Sequence, residues 1–340
     1  MPAHDTPAPE SRRPRLDVDT AAVRLAVRRC LADVGLPEGS AVLVAVSGGA
    51  DSLALAAATA FEARASGIRT HAVVVDHGLQ PGSDEIAGTA AEQVRGWGIE
   101  PHVVRVQVTD AGGPEAAART ARYAAIDTIC LEVGATLVLL GHTLDDQAET
   151  VLLGLARGSG TGSLQGMAPL LGRYARPLLG VRRTQTRASC AALGIPVWDD
   201  PHNASAEFTR VRVRERVLPV LEAELGPGVA EALARTAEQA REDTQAFDEM
   251  IEEFIEEICE PAEAGIAVQA GALAANPAAL RHRIIRYVAH AEFGRSLSRG
   301  HTLAIAALVT DWRGQGPIDV PGITVRREAG RLVFTAAGES

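Results

Sequence analysis

The chain has 340 residues, enough for one large core with a smaller domain beside it. Its 43 acidic residues outnumber 33 basic ones, every one of them arginine, for a formal net charge of -10. That balance excludes a surface positive all over for nucleic acid but leaves room for a local basic stripe, and the lack of lysine excludes a Walker A lysine or a Schiff-base lysine. No run of about 18 apolar residues occurs, so no membrane span is expected. The four cysteines, Cys30, Cys130, Cys190 and Cys259, form no Cys-x-x-Cys pair. They read as free buried thiols of a cytoplasmic protein, not as zinc or iron–sulfur ligands.

Residues 1–16 carry Pro, Arg and acids without an apolar stretch, which predicts a disordered leader rather than a signal peptide. A helical pattern from Asp17 to Val34 stops at Gly35-Leu36-Pro37. The runs at 41–47, 70–77, 101–108 and 135–142 are β-branched and apolar on both faces, as buried parallel strands are. Helical patterns near 51–66, 83–97, 114–133 and 143–156 alternate with them. This βαβ order predicts an α/β fold with a doubly wound parallel sheet, whose ligands sit outside the carboxyl ends of the strands. Ser47, Asp76 with His77, and Gly141 with His142 fall at those ends.

After Arg157 a Gly-rich stretch without periodicity reads as loop. A helix near 182–193 follows, then an irregular stretch carrying Arg210, Arg212, Arg214 and Arg216. From Pro219 to about Glu260 the pattern is helical and turns strongly acidic. The remainder reads as two helices (277–293, 298–312) and short strands at 317–320, 323–328 and 331–336. The expected partition is a domain over 17–218, a helical linker over 219–265 and a small α+β domain over 266–340.

The stretch "VAVSGGADSLAL" (44–55) holds the first chemical signal. A strand ending in Ser47-Gly48-Gly49 and a helix opening at Ala50-Asp51-Ser52 together make an anion nest. Its backbone N–H groups and the hydroxyls of Ser47 and Ser52 can hold an oxyanion. Asp51 beside phosphate implies an intervening cation, Mg²⁺; the plainer alternative is an Asp N-cap on an ordinary turn. The pattern Ser-Gly-Gly-Ala-Asp-Ser resembles the pyrophosphate loop of the PP-loop ATP pyrophosphatases. The resemblance implies ATP split between its α and β phosphates, bound by Ser47 to Ser52 with Asp76, His77 and Gly141.

Further motifs narrow the family. "VVVDHGLQ", "AARTARY" with Arg119 and Arg122, "GHTLDDQAETVLLGLARGSG" with His142, Asp145, Asp146 and Glu149, "RPLL", and "DDPHN" with the arginines 210–216 together resemble the tRNA(Ile)-lysidine synthetases. Two departures stand out: Thr143 occupies the place of a second His, and Val211 interrupts an Arg-Asn-Arg pattern. The resemblance implies that the wobble cytidine of a CAU-anticodon tRNA(Ile) is adenylated by ATP on its C2 oxygen, and that free L-lysine then attacks C2 and expels AMP. It assigns catalysis to Asp51, Arg119, His142, Asp145, Asp146 and Glu149, metal to Asp51 and Asp145, and the lysine ammonium to Asp146 and Glu149. Arg122, Arg210, Arg212 and Arg214 are the expected RNA contacts, joined by the arginines between 173 and 187, with the acidic helix 248–260 facing away. A homodimer is left open. The rival readings are another PP-loop tRNA modifier such as a cytidine thiolase, which calls for cysteines this chain does not pair, an amidotransferase-type synthetase, and a non-catalytic nucleotide-binding module.

Overall fold

A computed structural model describes residues 16–76, 78, 82–106, 114–158, 160–200, 207–263 and 265–337. The chain divides into two units, one through Gln239 and one from Ala240 onward. In the first, chain order is α1 (Val18–Val34), β1 (Ala41–Val46), α2 (Ala50–Ala65), β2 (Arg69–Asp76), α3 (Ser83–Gly96), β3 (Glu100–Arg105), α4 (Pro114–Glu132), β4 (Ala135–Leu139) and α5 (Leu144–Arg157). Then come β5 (Leu170–Leu171), β6 (Tyr174–Ala175), α6 (Arg183–Ala192), α7 (Thr209–Arg212), a π turn at Val213–Val217, α8 (Leu218–Leu225) and the start of α9 (Val229–Ile258).

The sheet order is β3-β2-β1-β4-β6-β5, parallel throughout except for the β5–β6 hairpin. β1 is apolar at all six positions because both of its faces are covered. Val42, Val44 and Val46 face a core with residues of α1, α2 and α3. Leu43 faces Ile126, Ile129 and Cys130 of α4. The chain leaves β1 toward β2 on one side and returns as β4 on the other, so the switch point of this doubly wound sheet lies between the carboxyl ends of β1 and β4. Gly141 lets those ends close: a Cβ there would meet the Asp51 carbonyl carbon and the Ser52 N and Cα at 3.2 Å.

Two local readings change. The Gly-rich stretch after Arg157 is not all loop: β5 and β6 extend the sheet, each two residues long and so too short to leave a periodic signal. The stretch around Arg210 is not irregular either, since residues 209–225 are helical from α7 through the π turn to α8. Glu222 caps the helix that follows. Its carboxylate accepts the N–H groups of Gly228, Val229 and Ala230 at 2.7, 3.2 and 3.1 Å. Burial opposes the charge, but these N–H groups and Arg182 outweigh it and hold Glu222 down at about 2.

The second unit contains the rest of α9, β7 (Cys259–Ala262), β8 (Gly265–Gln269), α10 (Ala270–Ala275), α11 (Ala278–Phe293), α12 (Arg299–Thr310), β9 (Ile318–Val320), β10 (Ile323–Glu328) and β11 (Arg331–Ala336). Its antiparallel sheet runs β7-β8-β11-β10-β9. α11, α12 and the last three strands match the sequence reading, whereas the short helix α10 leaves too little period to be read. The β7–β8 hairpin replaces the end of the expected helical stretch, and Pro261 is tolerated because β7 is an edge strand. No helix among the described residues is long and apolar enough to cross a membrane.

Candidate active site

Gly48 takes φ +81° at the end of β1, a conformation open to glycine, and its carbonyl accepts from the Trp198 N–H at 2.9 Å. The Ser52 hydroxyl ties the loop together: it accepts from the Ser47 N–H at 3.0 Å, lies 3.2 Å from the Ser47 hydroxyl and donates to the Gly49 carbonyl at 2.9 Å. α2 then begins at Ala50 without any side-chain cap. The plain N-cap alternative for Asp51 therefore fails, and the first-turn N–H groups are left for an anion.

The Asp51 side chain reaches across the sequence instead. It accepts a hydrogen bond from the Thr186 hydroxyl, and Arg183 Nε lies 3.4 Å from its other oxygen. Burial raises its pKa above the ordinary carboxylate value, more than Thr186 and Arg183 lower it. A carboxylate held this way is a ready ligand for an arriving cation.

α5 carries the other acids. Thr143, where a second His was the family expectation, is its N-cap. The Thr143 N–H and hydroxyl donate to Asp146 Oδ2 at 2.9 and 2.7 Å, which points Oδ1 at Arg183, 2.8 Å away. Burial works against the Asp146 charge, but Arg183 and Thr143 outweigh it and hold the carboxyl below its ordinary value. Glu149, fully buried, takes Arg214 at 2.7 Å and Arg183 and Arg210 at 3.4 Å each. Three carboxylates, Asp51, Asp146 and Glu149, thus surround Arg183, and Arg210 and Arg214 close the cluster.

Asp145 does not join them. Its oxygens accept from Arg182 at 3.1 Å and from the Arg183 N–H at 2.7 Å, so it sets the start of α6. Arg182 also reaches Glu222 at 3.2 Å and Glu231 at 2.7 Å. Two arginines at a helix N-terminus oppose the helix dipole; the acids around them offset that cost.

His142 follows β4 and has no hydrogen-bond partner for its Nδ1 among the described residues. Burial first, then Arg176, Arg122 and Arg210, push its pKa down to about 4 against the opposing pull of Asp146. The imidazole is neutral at pH 7, so it offers a dipole and not a positive charge. The sign of the linkage follows. Above pH 6.5 His142 costs no stability, and below it the unfolded chain binds a proton that the folded chain refuses, down to about pH 4. His142→Gln is expected to remove up to about 3 kcal/mol of the acid-side stability loss between those pH values. Chemical unfolding of both proteins at stepped pH checks this; parallel pH profiles would show His142 to be solvated.

Arg119 and Arg122 both approach the Tyr123 ring, at 5.0 and 5.6 Å. Asp76 is buried at the end of β2, where its carboxylate accepts the Gly78 N–H at 2.9 Å and braces the turn. His77 lies outside the described residues. Arg212 donates to the Glu207 carbonyl at 2.7 Å and to the Thr209 hydroxyl at 2.9 Å. Val211 is packed inside. The arginines between 173 and 187 do not form one exposed strip: Arg176 is buried against the Ala168 carbonyl, Arg182 and Arg183 join acids, and Arg187 pairs with Asp199 at 2.6 Å. Sequence reasoning missed the roles of Arg183 and Thr186 beside Asp51, which stand 132 and 135 positions away. No local pattern links them. Cys190 donates to the Ala50 carbonyl at 3.4 Å, and burial, then Asp51, pushes its thiol up to about 11, unsuited to a sulfur-transfer nucleophile.

The PP-loop domain family matches residues 21–221, and the TilS substrate binding domain matches residues 269–333. The chain is 61% identical over 301 residues to the tRNA(Ile)-lysidine synthase of Leifsonia xyli subsp. xyli, covering 88% of this chain and 91% of that one. It is 48% identical over 350 residues to the tRNA(Ile)-lysidine synthase of Streptomyces coelicolor, covering 92% and 97%. Among solved structures, the tRNA thiolase NcsA of Methanococcus maripaludis matches with a TM-score of 0.57 at 19% identity, over 65% of this chain and 79% of that one, which is a likeness of fold. With the phosphate loop at the switch point, the acids of α5 beside it and these relatives matched along nearly their whole length, the chain belongs to the tRNA(Ile)-lysidine synthase family.

Proposed function

We propose that this chain joins the side-chain amine of free L-lysine to C2 of the wobble cytidine of a CAU-anticodon tRNA(Ile). ATP is split to AMP and diphosphate through a cytidine adenylated on its C2 oxygen. Family membership supports the reaction. The observation that carries it to particular atoms is that Arg183 touches Asp51 of the phosphate loop and Asp146 and Glu149 of α5 at once.

In this reading the nest N–H groups after Ser47 hold the phosphates of ATP, and the neutral His142 and Arg119 lie toward the nucleotide. Asp51 fits Mg²⁺, a cation that takes carboxylate oxygen and otherwise keeps water and phosphate ligands. Mg²⁺, when bound, supplies positive charge for the departing diphosphate. Asp145 is assigned to holding Arg182 and Arg183. The cytidine O2 forms its bond to the α-phosphorus as diphosphate leaves. The lysine amine must lose a proton before attacking C2 and expelling AMP, and Asp146 and Glu149 are assigned to bind the ammonium and orient it for that step. Arg183 and Arg214 pair with both carboxylates, and the incoming ammonium takes over part of that pairing. Arg122 and Arg212 are assigned to the RNA, with Arg210 and Arg214 between it and the acids. Residues 17–218 are proposed as the catalytic domain, 219–265 as linker and 266–340 as a domain serving the tRNA.

The direct test is incubation with ATP, Mg²⁺, labelled lysine and transcripts of CAU-anticodon tRNA(Ile) and tRNA(Met). Label is expected in the isoleucine transcript with one AMP formed per lysine; AMP formation without label would mean another nucleophile. Asp146→Asn separates the acid roles. It is expected to raise the apparent KM for lysine at least about tenfold, as loss of a charged hydrogen bond does, with little change in that for ATP. Equal changes would place Asp146 on ATP or the metal.

A further inference from the structure

His71, near the start of β2, and Glu100 and His102, at the start of β3, lie at the end of the sheet opposite the phosphate loop. Asp76 lies five positions along the strand from His71, roughly 16 Å at a strand's rise per residue. The parallel register pairs His71 with Glu100 and Val73 with His102. Residues two apart on a strand share a face, so all three side chains emerge on the same side of the sheet. His71 Nδ1 lies 3.3 Å from His102 Nε2 and 3.6 Å from Glu100 Oε2, and the three donor atoms are all within 4.8 Å of one another. His71 is mostly buried and Glu100 exposed, and both line a cleft of about 350 Å³ that includes Trp97 and Arg64. His102 is half-buried and is not among the residues that line the cleft, so the exposed Glu100 carboxylate is the member of the three most open to solvent.

Those separations decide what fits. Four ligands at 2.0–2.1 Å in a tetrahedron lie about 3.3–3.4 Å from one another, and Zn²⁺ takes imidazole and carboxylate at that range. The two short distances match before any ion is placed. Mg²⁺ prefers an octahedron of oxygens and is a poor match for two imidazoles.

We propose that His71, His102 and Glu100 form a binding site for one divalent transition-metal ion of the Zn²⁺ type, with water as fourth ligand, which clamps edge strand β3 to β2. The site is separate from the Mg²⁺ of ATP chemistry and does not depend on the reaction proposed above.

The test uses the full-length protein stripped with a chelator and then dialysed against Zn²⁺, or titrated with Co²⁺ as a visible reporter. The wild type is expected to bind one more Zn²⁺ than His102→Gln/Glu100→Gln, to melt at higher temperature with Zn²⁺, and to give the intense visible band of tetrahedral Co²⁺. The double variant, changed only at accessible positions, is expected to keep its circular dichroism spectrum and Mg²⁺-dependent AMP formation. It is also expected to bind Zn²⁺ at least tenfold more weakly and to lose both the band and the thermal shift. Equal Zn²⁺ stoichiometry and affinity in the two proteins, or no binding by the wild type, would overturn the proposal.

Discussion

Asp51→Asn is expected to give a folded protein that forms AMP from ATP at least about a hundredfold more slowly, the scale of losing one electrostatic element from a preorganised site. The substitution keeps the side-chain volume and an oxygen that accepts from the Thr186 hydroxyl, so the first turn of α2 stays in place. What disappears is one negative charge. Burial already disfavours that charge in the protein alone, and a cation between the carboxylate and phosphate is what gives it a use. AMP formation in the presence of tRNA and Mg²⁺ is the primary measurement, with thermal melting as the check on folding. A folded variant with unchanged rate would mean that Asp51 only supports Arg183, and Mg²⁺ would need another ligand.

The second large effect is on stability. Glu149→Ala is expected to cost about 3–5 kcal/mol, the scale of breaking a buried ion pair and leaving its partner uncompensated. Glu149 is wholly buried and is met by Arg214, Arg183 and Arg210. Removing it leaves Arg183 with Asp51 and Asp146, Arg214 with Asp146 at 3.5 Å and Arg210 with the Thr150 hydroxyl. The loss belongs to the first unit, which contains Trp97 and Trp198, whereas Trp312 lies in the second. Urea unfolding followed by the fluorescence of single-tryptophan versions is expected to shift for the first unit and stay in place for the second. A change below about 1 kcal/mol would show that water enters the cluster and screens it, as at an exposed pair.

The family's chemistry was legible where it is written in short spacings. The nest needs adjacent glycines at a strand end, and the β1 turn supplies them within a few residues. Asp146 and Glu149 are one helical turn apart, so their convergence on Arg183 and Arg214 follows from helix geometry. Asp145 and Glu149, four apart, had the same claim to one face. Yet Asp145 turns to Arg182 and the Arg183 N–H because α6 arrives on that side. Spacing brings two side chains within reach of each other; which neighbour each takes depends on what packs beside the helix.

By itself the sequence determined the parallel sheet, its carboxyl-end site and the ATP-splitting family, because these depend on local period, local turns and motifs a few residues long. Tertiary structure alone decided the partners. Arg183 and Thr186 meet Asp51 across more than 130 positions, and Arg210 and Arg214 turn to Glu149 because residues 209–225 form a helix against α5. The neutrality of His142 was decided there as well, by burial among arginines from separate elements. Charge pairing and desolvation depend on distance in space, and in a doubly wound fold that distance is set by strand order and packing, which bring together residues far apart in the chain.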